Sequence, residues 1–106
     1  METSIIWLPR ARYALYTLYH FIAINLHNKT AAGKLIDKLW KSAESLKKFP
    51  KLGLVEPALK KQTKEYRSLI VERHYKIIYT IKDENTIEII TIWDCSRDSE
   101  TLSRQI

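Results

Sequence analysis

Past Glu65 the apolar residues stop recurring at three- and four-residue steps and begin to alternate, so the helices precede most of the sheet. Tyr66 to Val71, His74 to Lys82 and Thr86 to Trp93 are rich in β-branched and aromatic residues and predict a three-stranded antiparallel meander. Their breaks are Glu72-Arg73, which lacks Gly or Asn, and Asp83-Glu84-Asn85, which has the chemistry of a tight turn. Upstream, Leu15, Leu18, Tyr19, Ile22 and Leu26 share one face of a helix running from Arg10 to about Leu26. After the polar run Asn25 to Thr30, a second helix is marked by Ala32, Leu35, Ile36, Leu39, Ala43 and Leu46. Asn28 or Thr30 is its N-cap, and Lys47-Lys48 complement the dipole at its other end.

Phe49-Pro50-Lys51-Leu52-Gly53 closes that helix, and Pro57 predicts irregular chain to about Lys64. At the other end, Thr3 to Leu8 reads as a short first strand halted by Pro9, and Ser99 to Gln105 allows a short C-terminal helix. The expected fold is therefore α+β: an N-terminal strand, a helical hairpin, then the meander. With 106 residues there is room for one core and one domain, 1–106.

Charge narrows the function more than composition does. Residues 34–64 hold nine lysines against Asp37, Glu44 and Glu56, which is the whole net charge of +6; the rest of the chain is balanced. Such a stretch attracts phosphate backbones or an acidic protein segment, or serves as a solvated helix face. Cys95 is the only cysteine, which excludes an internal disulfide and any zinc site needing two thiolates. The N-terminus has neither the basic start nor the apolar run of a signal peptide, and no window is long enough to span a membrane, so a cytoplasmic protein without membrane attachment is expected. Nothing in the sequence implies a metal or a cofactor.

A two-residue turn at Glu72-Arg73 would pair Val71 with His74, Leu69 with Lys76 and Arg67 with Ile78. Tyr75, Ile77, Tyr79 and Ile81 would then face the helices. Arg67, Lys76 and His74 would look outward from a mixed, cationic sheet face able to receive a ligand.

The order strand, helix, helix, three strands carries several local signatures: Trp7-x-Pro9-x-Ala11 at the first junction, Phe49-Pro50-x-x-Gly53 after the second helix, and Tyr75-Lys-Ile-Ile-Tyr79 in the meander. It finishes with Asp83-Glu84-Asn85, Ile87-x-Ile89-x-x-Ile92 and Arg97-Asp98. Over nearly the whole chain this resembles the RelE/ParE superfamily of bacterial toxins. The resemblance implies the toxin of a type II toxin–antitoxin module, inhibited by a cognate antitoxin whose C-terminal segment wraps around it. It further implies one of two targets, ribosome-bound mRNA or DNA gyrase.

In the nuclease branch, bases on the outer sheet face orient the scissile phosphate while a general base and acid move protons. Carried over, Arg67 falls on a basic strand position, and Lys76 replaces the arginine of the Tyr-Arg-x-x-Tyr version. Leu69 stands where a second lysine is expected, and no tyrosine follows the last strand. Lysine for arginine loses bidentate phosphate recognition, and the missing base removes a proton-transfer group. The tail Trp93 to Asp98 is closer to the ParE-like His-x-x-Arg-Asp pattern, with Asp94 in place of the histidine, so ParE-like action on gyrase is slightly favoured. The alternatives are a ribosome-dependent endoribonuclease using Arg67, Lys76 and His74, and a non-toxic relative that only forms complexes with an antitoxin.

Each candidate has a plain structural reading beside the functional one. Arg67 contacts phosphate or pairs with Glu65 or Glu88; His74 is a general base or a turn histidine in water. Arg97 engages a nucleic acid or the antitoxin, or anchors the last strand through Asp94 or Asp98, and the anchor is preferred. Arg73, Lys60, Lys61 and Lys64 join Arg97 as candidate partner or nucleic-acid contacts. Tyr13, Tyr16, Tyr19 and Trp40 either form a partner groove or pack between helices and sheet.

Overall fold

A computed structural model describes residues 2–106. The order of elements is β1 (Ser4–Trp7), α1 (Pro9–His20), α2 (Lys29–Glu44), β2 (Leu54–Val55), β3 (Arg67–Val71), β4 (Tyr75–Asp83), β5 (Thr86–Asp94) and α3 (Ser99–Gln105). The expected strand, hairpin, meander and terminal helix are all present, and the fold class is α+β. The five strands form one sheet in the order β1-β5-β4-β3-β2. β1 runs parallel to β5, and every other pairing is antiparallel. β2 was not foreseen: two residues of the supposedly irregular stretch extend the sheet beside Arg67 and Ser68.

Local chemistry explains the hairpin. Pro9 occupies the first turn of α1, where its missing N–H costs nothing. Past His20 the helix rewinds into one π turn, Phe21–Asn25, and His27 then takes a left-handed conformation with φ 52°. The side chain of Asn28 accepts from the Ala31 amide at 3.0 Å, as the cap of α2 requires. Leu39 and Ala43 from the second helix and Leu46 from the 3-10 turn that ends it are fully buried with Trp7, Ala11, Val71, Ile77, Tyr79, Ile87 and Ile89, which makes the main core.

The register of β3 departs from expectation. The connection takes three residues, Glu72 to His74, with Glu72 and Arg73 both left-handed at φ 55° and 65°. Val71 therefore opposes Tyr75, Ile70 opposes Lys76, and Arg67 opposes Tyr79. Directly opposed residues share a face, and a one-residue slip moves every side chain to the other side. Leu69 and Val71 consequently join Tyr75, Ile77 and Tyr79 under the helices, which is why this register buries more apolar surface than the two-residue turn would.

The outer face is also covered. Leu59 from the 3-10 turn Pro57–Leu59, Ile78, Trp93 and Leu102 from α3 form a second buried cluster, with Ala58, Tyr66, Ile90 and Ile106 around it. A cationic hollow was expected on this side. A small apolar core fills it instead.

Candidate functional site

The slip separates the two bases that were expected to act together. Arg67 lies on the helix face and Lys76 on the outer face. Arg67 is mostly buried and donates from Nη1 to the Gly53 carbonyl at 2.8 Å, while Nε and Nη2 both meet Glu65 Oε1 at 3.0 Å. Beside it the Tyr79 hydroxyl donates to the Pro50 carbonyl at 2.7 Å and accepts from the Gly53 amide at 2.9 Å. Burial pushes the Tyr79 phenol above its ordinary pKa. The Phe49-Pro50-x-x-Gly53 segment and the second tyrosine of Tyr75-Lys-Ile-Ile-Tyr79 are thus two halves of one clasp, and Arg67 closes it.

On the other face Lys76 Nζ donates to Glu56 Oε1 at 2.6 Å, and Glu56 Oε2 accepts from the Ala58 amide at 2.9 Å, capping the 3-10 turn. Glu56 is only 1% exposed. Burial by itself would raise its pKa, yet the hydrogen bonds from Lys76 and Ala58 outweigh that and hold the carboxyl below its usual range. Lys76 is therefore tied to a buried carboxylate that fixes the segment covering the outer face.

The remaining expected residues are dispersed. His74 sits in the β3–β4 connection, exposed, on neither strand face; its carbonyl accepts from the Cys95 amide at 2.8 Å. Arg73 is exposed in the same connection, whereas Lys60, Lys61 and Lys64 line the loop that leads into the opposite end of β3. The Arg97 guanidinium lies 4.4 Å from the centre of the Trp93 ring, and its backbone amide donates to the Asp94 carbonyl at 3.0 Å. The Asp94 carboxylate accepts instead from the amide and hydroxyl of Ser96, which lower its pKa, and Asp98 caps α3 through the Glu100 amide.

What the molecule does offer is a groove of about 700 Å³ along the free edge of β5, lined by Tyr13, Thr17, Phe21, Tyr75, Ile92 and Trp93 and by the charged Arg10, Asp94 and Arg97. β1 covers β5 only over Thr86 to Ile89, so the edge of β5 from Ile90 onward is left beside α1. From Tyr13 to Asn28 the chain has no Asp, Glu, Lys or Arg. Along this span Tyr13 and Tyr16 are exposed, as are Phe21 and Ile24 of the π turn and, just past it, Leu26, which the end of the helix takes off the face it was expected to share with Leu15 and Leu18. Exposed apolar side chains in this number make the span a candidate interaction surface. The tyrosines at 13 and 16 belong to it; Tyr19 is half-buried, and Trp40 is half-exposed above Trp7.

Residues 5–99 match the family model described as ParE toxin of type II toxin-antitoxin system, parDE. The chain belongs to the ParE toxin family. It is the toxin component of a type II toxin–antitoxin system, and its partner is a cognate antitoxin. The ParE fold is also seen in a chain from the chromosomal ParDE TA system of P. aeruginosa, which superposes with a TM-score of 0.67 at 20% identity, over 87% of this chain and 95% of that one. No curated protein matches in sequence. Among the described residues no helix of this ParE-family toxin is long and apolar enough to cross a membrane.

Sequence reasoning missed the groove as a unit. The absence of charge between Tyr13 and Asn28 was the signal that could have found it, because an apolar helix that keeps large side chains in water has a use for them.

Proposed function

We propose that this ParE-family toxin stops growth by binding DNA gyrase in the cytoplasm, and that its antitoxin silences it by laying an acidic, amphipathic segment in the groove between α1 and the edge of β5. The observation that carries the first half is the placement of Arg67 and Lys76 on opposite faces of the sheet, each closed into a structural contact. Cleaving RNA through its 2′-hydroxyl requires a base, an acid and a phosphate clamp converging on one point within hydrogen-bond reach. A toxin whose bases are divided in this way is better suited to trapping a target than to performing the chemistry itself.

The second half is supported by the groove. Its aromatic lining provides large, stiff contact surface, and the two bases of the lining, Arg10 and Arg97, outnumber its one acid, Asp94, so that the groove favours carboxylates even with Arg10 also bonded to the Gln105 carbonyl.

Controlled expression followed by two assays tests the reading. Accumulation of gyrase-linked DNA breaks with intact mRNA is the expected result. Codon-linked mRNA cuts without DNA breaks would establish the endoribonuclease alternative and overturn the proposal, and growth untouched at high expression would leave only the complex-forming relative.

A further inference from the structure

The sheet has two open edges of unequal character. The β2 edge is two residues long, whereas β1 has four and lies within Thr3 to Leu8, a stretch without a charged residue. The bonds from Ser4 N to Asn85 O at 2.7 Å and from Leu8 N to Ile89 O at 3.1 Å turn the even-numbered residues of this strand toward β5. The N–H and C=O groups of Ile5 and Trp7 therefore point away from the sheet. The devices by which edges normally resist pairing, a lysine, a proline or a bulge, are absent from β1. Each face of the edge carries exposed apolar surface: Ile6 is 42% exposed on the outer face beside Ser4, and on the helix face Trp40, 47% exposed, stacks on Trp7 with ring centres 5.5 Å apart.

We propose that β1 pairs antiparallel with β1 of a second copy of this chain, joining the two sheets across a two-fold axis at Ile6. Symmetry and chemistry select this register. A two-fold axis perpendicular to the sheet keeps both sets of helices on one side, so opposed residues must have the same parity. Placing the axis at Ile6 sets Ile5 opposite Trp7 of the second copy, and the reverse, so that all outward backbone groups of both residues are bonded. The two Ile6 side chains then meet on the outer face, and the Trp40–Trp7 stacks close the helix face.

The same register, continued past the strand, brings Glu2 of each copy to the Pro9–Arg10 corner of the other. Opposite charges thus come within reach at both ends: Arg10 gives one of its several donors to the Gln105 carbonyl, 2.6 Å away, and Glu2 otherwise acts only on the exposed Lys47 of its own chain. An axis at Ile5 would oppose Glu2 to Leu8 and Ile6 to Ser4, and would pair no charges. An acidic antitoxin strand on this edge would meet Glu2, which also favours the second copy as the occupant.

Light scattering on the purified full-length chain is expected to give twice the 12.5 kDa of one copy. Ile6→Lys should return it to the single mass; Glu88, opposite Ile6 on β5, gives the new lysine a neighbour within the fold. Glu2→Lys, outside the strand, should weaken the dimer, and Glu2→Lys with Arg10→Glu should restore it, which keeps a test in hand should the strand variant fail to fold. Hydrogen exchange should show the amides of Ile5 and Trp7 protected in the dimer and released in Glu2→Lys. A single-copy mass at every concentration overturns the proposal. So does a dimer indifferent to both single variants, or protection of those two amides that appears only when antitoxin is added.

Discussion

Gly53 lies so close to Tyr79 that a β-carbon at position 53 would stand 2.8 Å from both Cε1 and the hydroxyl oxygen of the tyrosine, and 2.6 Å from the Ser68 carbonyl. The ring and the strand backbone are both fixed in the sheet, so neither can yield. Glycine is required here for space; its φ is not in the left-handed region. Gly53→Ala should therefore lower stability by about 1–3 kcal/mol, as overpacking of a close-fitted site does. Tyr79→Phe should cost a similar amount by stranding the Pro50 carbonyl and the Gly53 amide, about 1–3 kcal/mol. Urea unfolding of the two variants measures both, and an unchanged midpoint for either would show that the clasp contributes nothing.

Arg67 closes that clasp, so its loss should act on stability before activity. Arg67→Ala is expected to cost about 1–3 kcal/mol from the broken charge-assisted bond to Gly53. Toxicity should persist at temperatures where the variant is folded. A variant as stable as the parent yet harmless to cells would assign Arg67 to the target contact instead.

The Glu56–Lys76 pair gives a pH dependence with a definite sign. Glu56 has a folded pKa below its unfolded value of 4.5, so its contribution is fully present above that pH and is lost as the pH falls through the folded value. Lys76→Met leaves a buried carboxylate without its counter-charge and should cost about 3–5 kcal/mol at neutral pH. In that variant burial dominates, the folded pKa rises above the unfolded one, and stability should be partly regained on mild acidification. Denaturation midpoints at pH 7 and pH 5 for parent and variant decide it; parallel pH profiles would contradict the pairing.

Tyr13 and Phe21 line the groove with their side chains largely in water. Changing either to Glu should leave stability within about 0.5 kcal/mol, because exposed positions seldom carry more. Antitoxin binding should weaken by about 2 kcal/mol, near thirtyfold, if these aromatics anchor the segment. Titration calorimetry with the cognate antitoxin, beside thermal melts of the free toxin, separates the two quantities. Undiminished affinity would move the antitoxin off this face.

Much of the molecule is legible in its residues because the responsible interactions are local. Pro9, Asn28 and the paired lysines after Leu46 mark helix ends through groups only a few positions apart. The change of period at Glu65 locates the sheet because each strand carries its own apolar alternation. The short run from Ser99 to Gln105 likewise allowed α3, which Asp98 caps in the structure. β2 escaped notice because two residues hold no period, and their pairing depends on where Arg67 and Ser68 lie in space. The contacts of Arg97 were half visible: its nearness to Asp94 could be read from its position, but the Trp93 face it lies on belongs to the folded sheet.

By itself, then, the sequence determined the succession of helices and strands apart from β2, the buried stripe of the second helix and the family to which the chain is similar, all of which follow from spacing along the backbone. The tertiary structure alone decided the side of the sheet that Arg67 occupies. Parity is the physical reason: three residues rather than two in the connection after Val71 reverse every side chain of β3, and that choice is made by the burial of Leu69 and Val71 against distant helices. A cationic outer face on paper thereby became, in three dimensions, a clasp on one side, a buried ion pair on the other, and a partner groove along an uncharged helix.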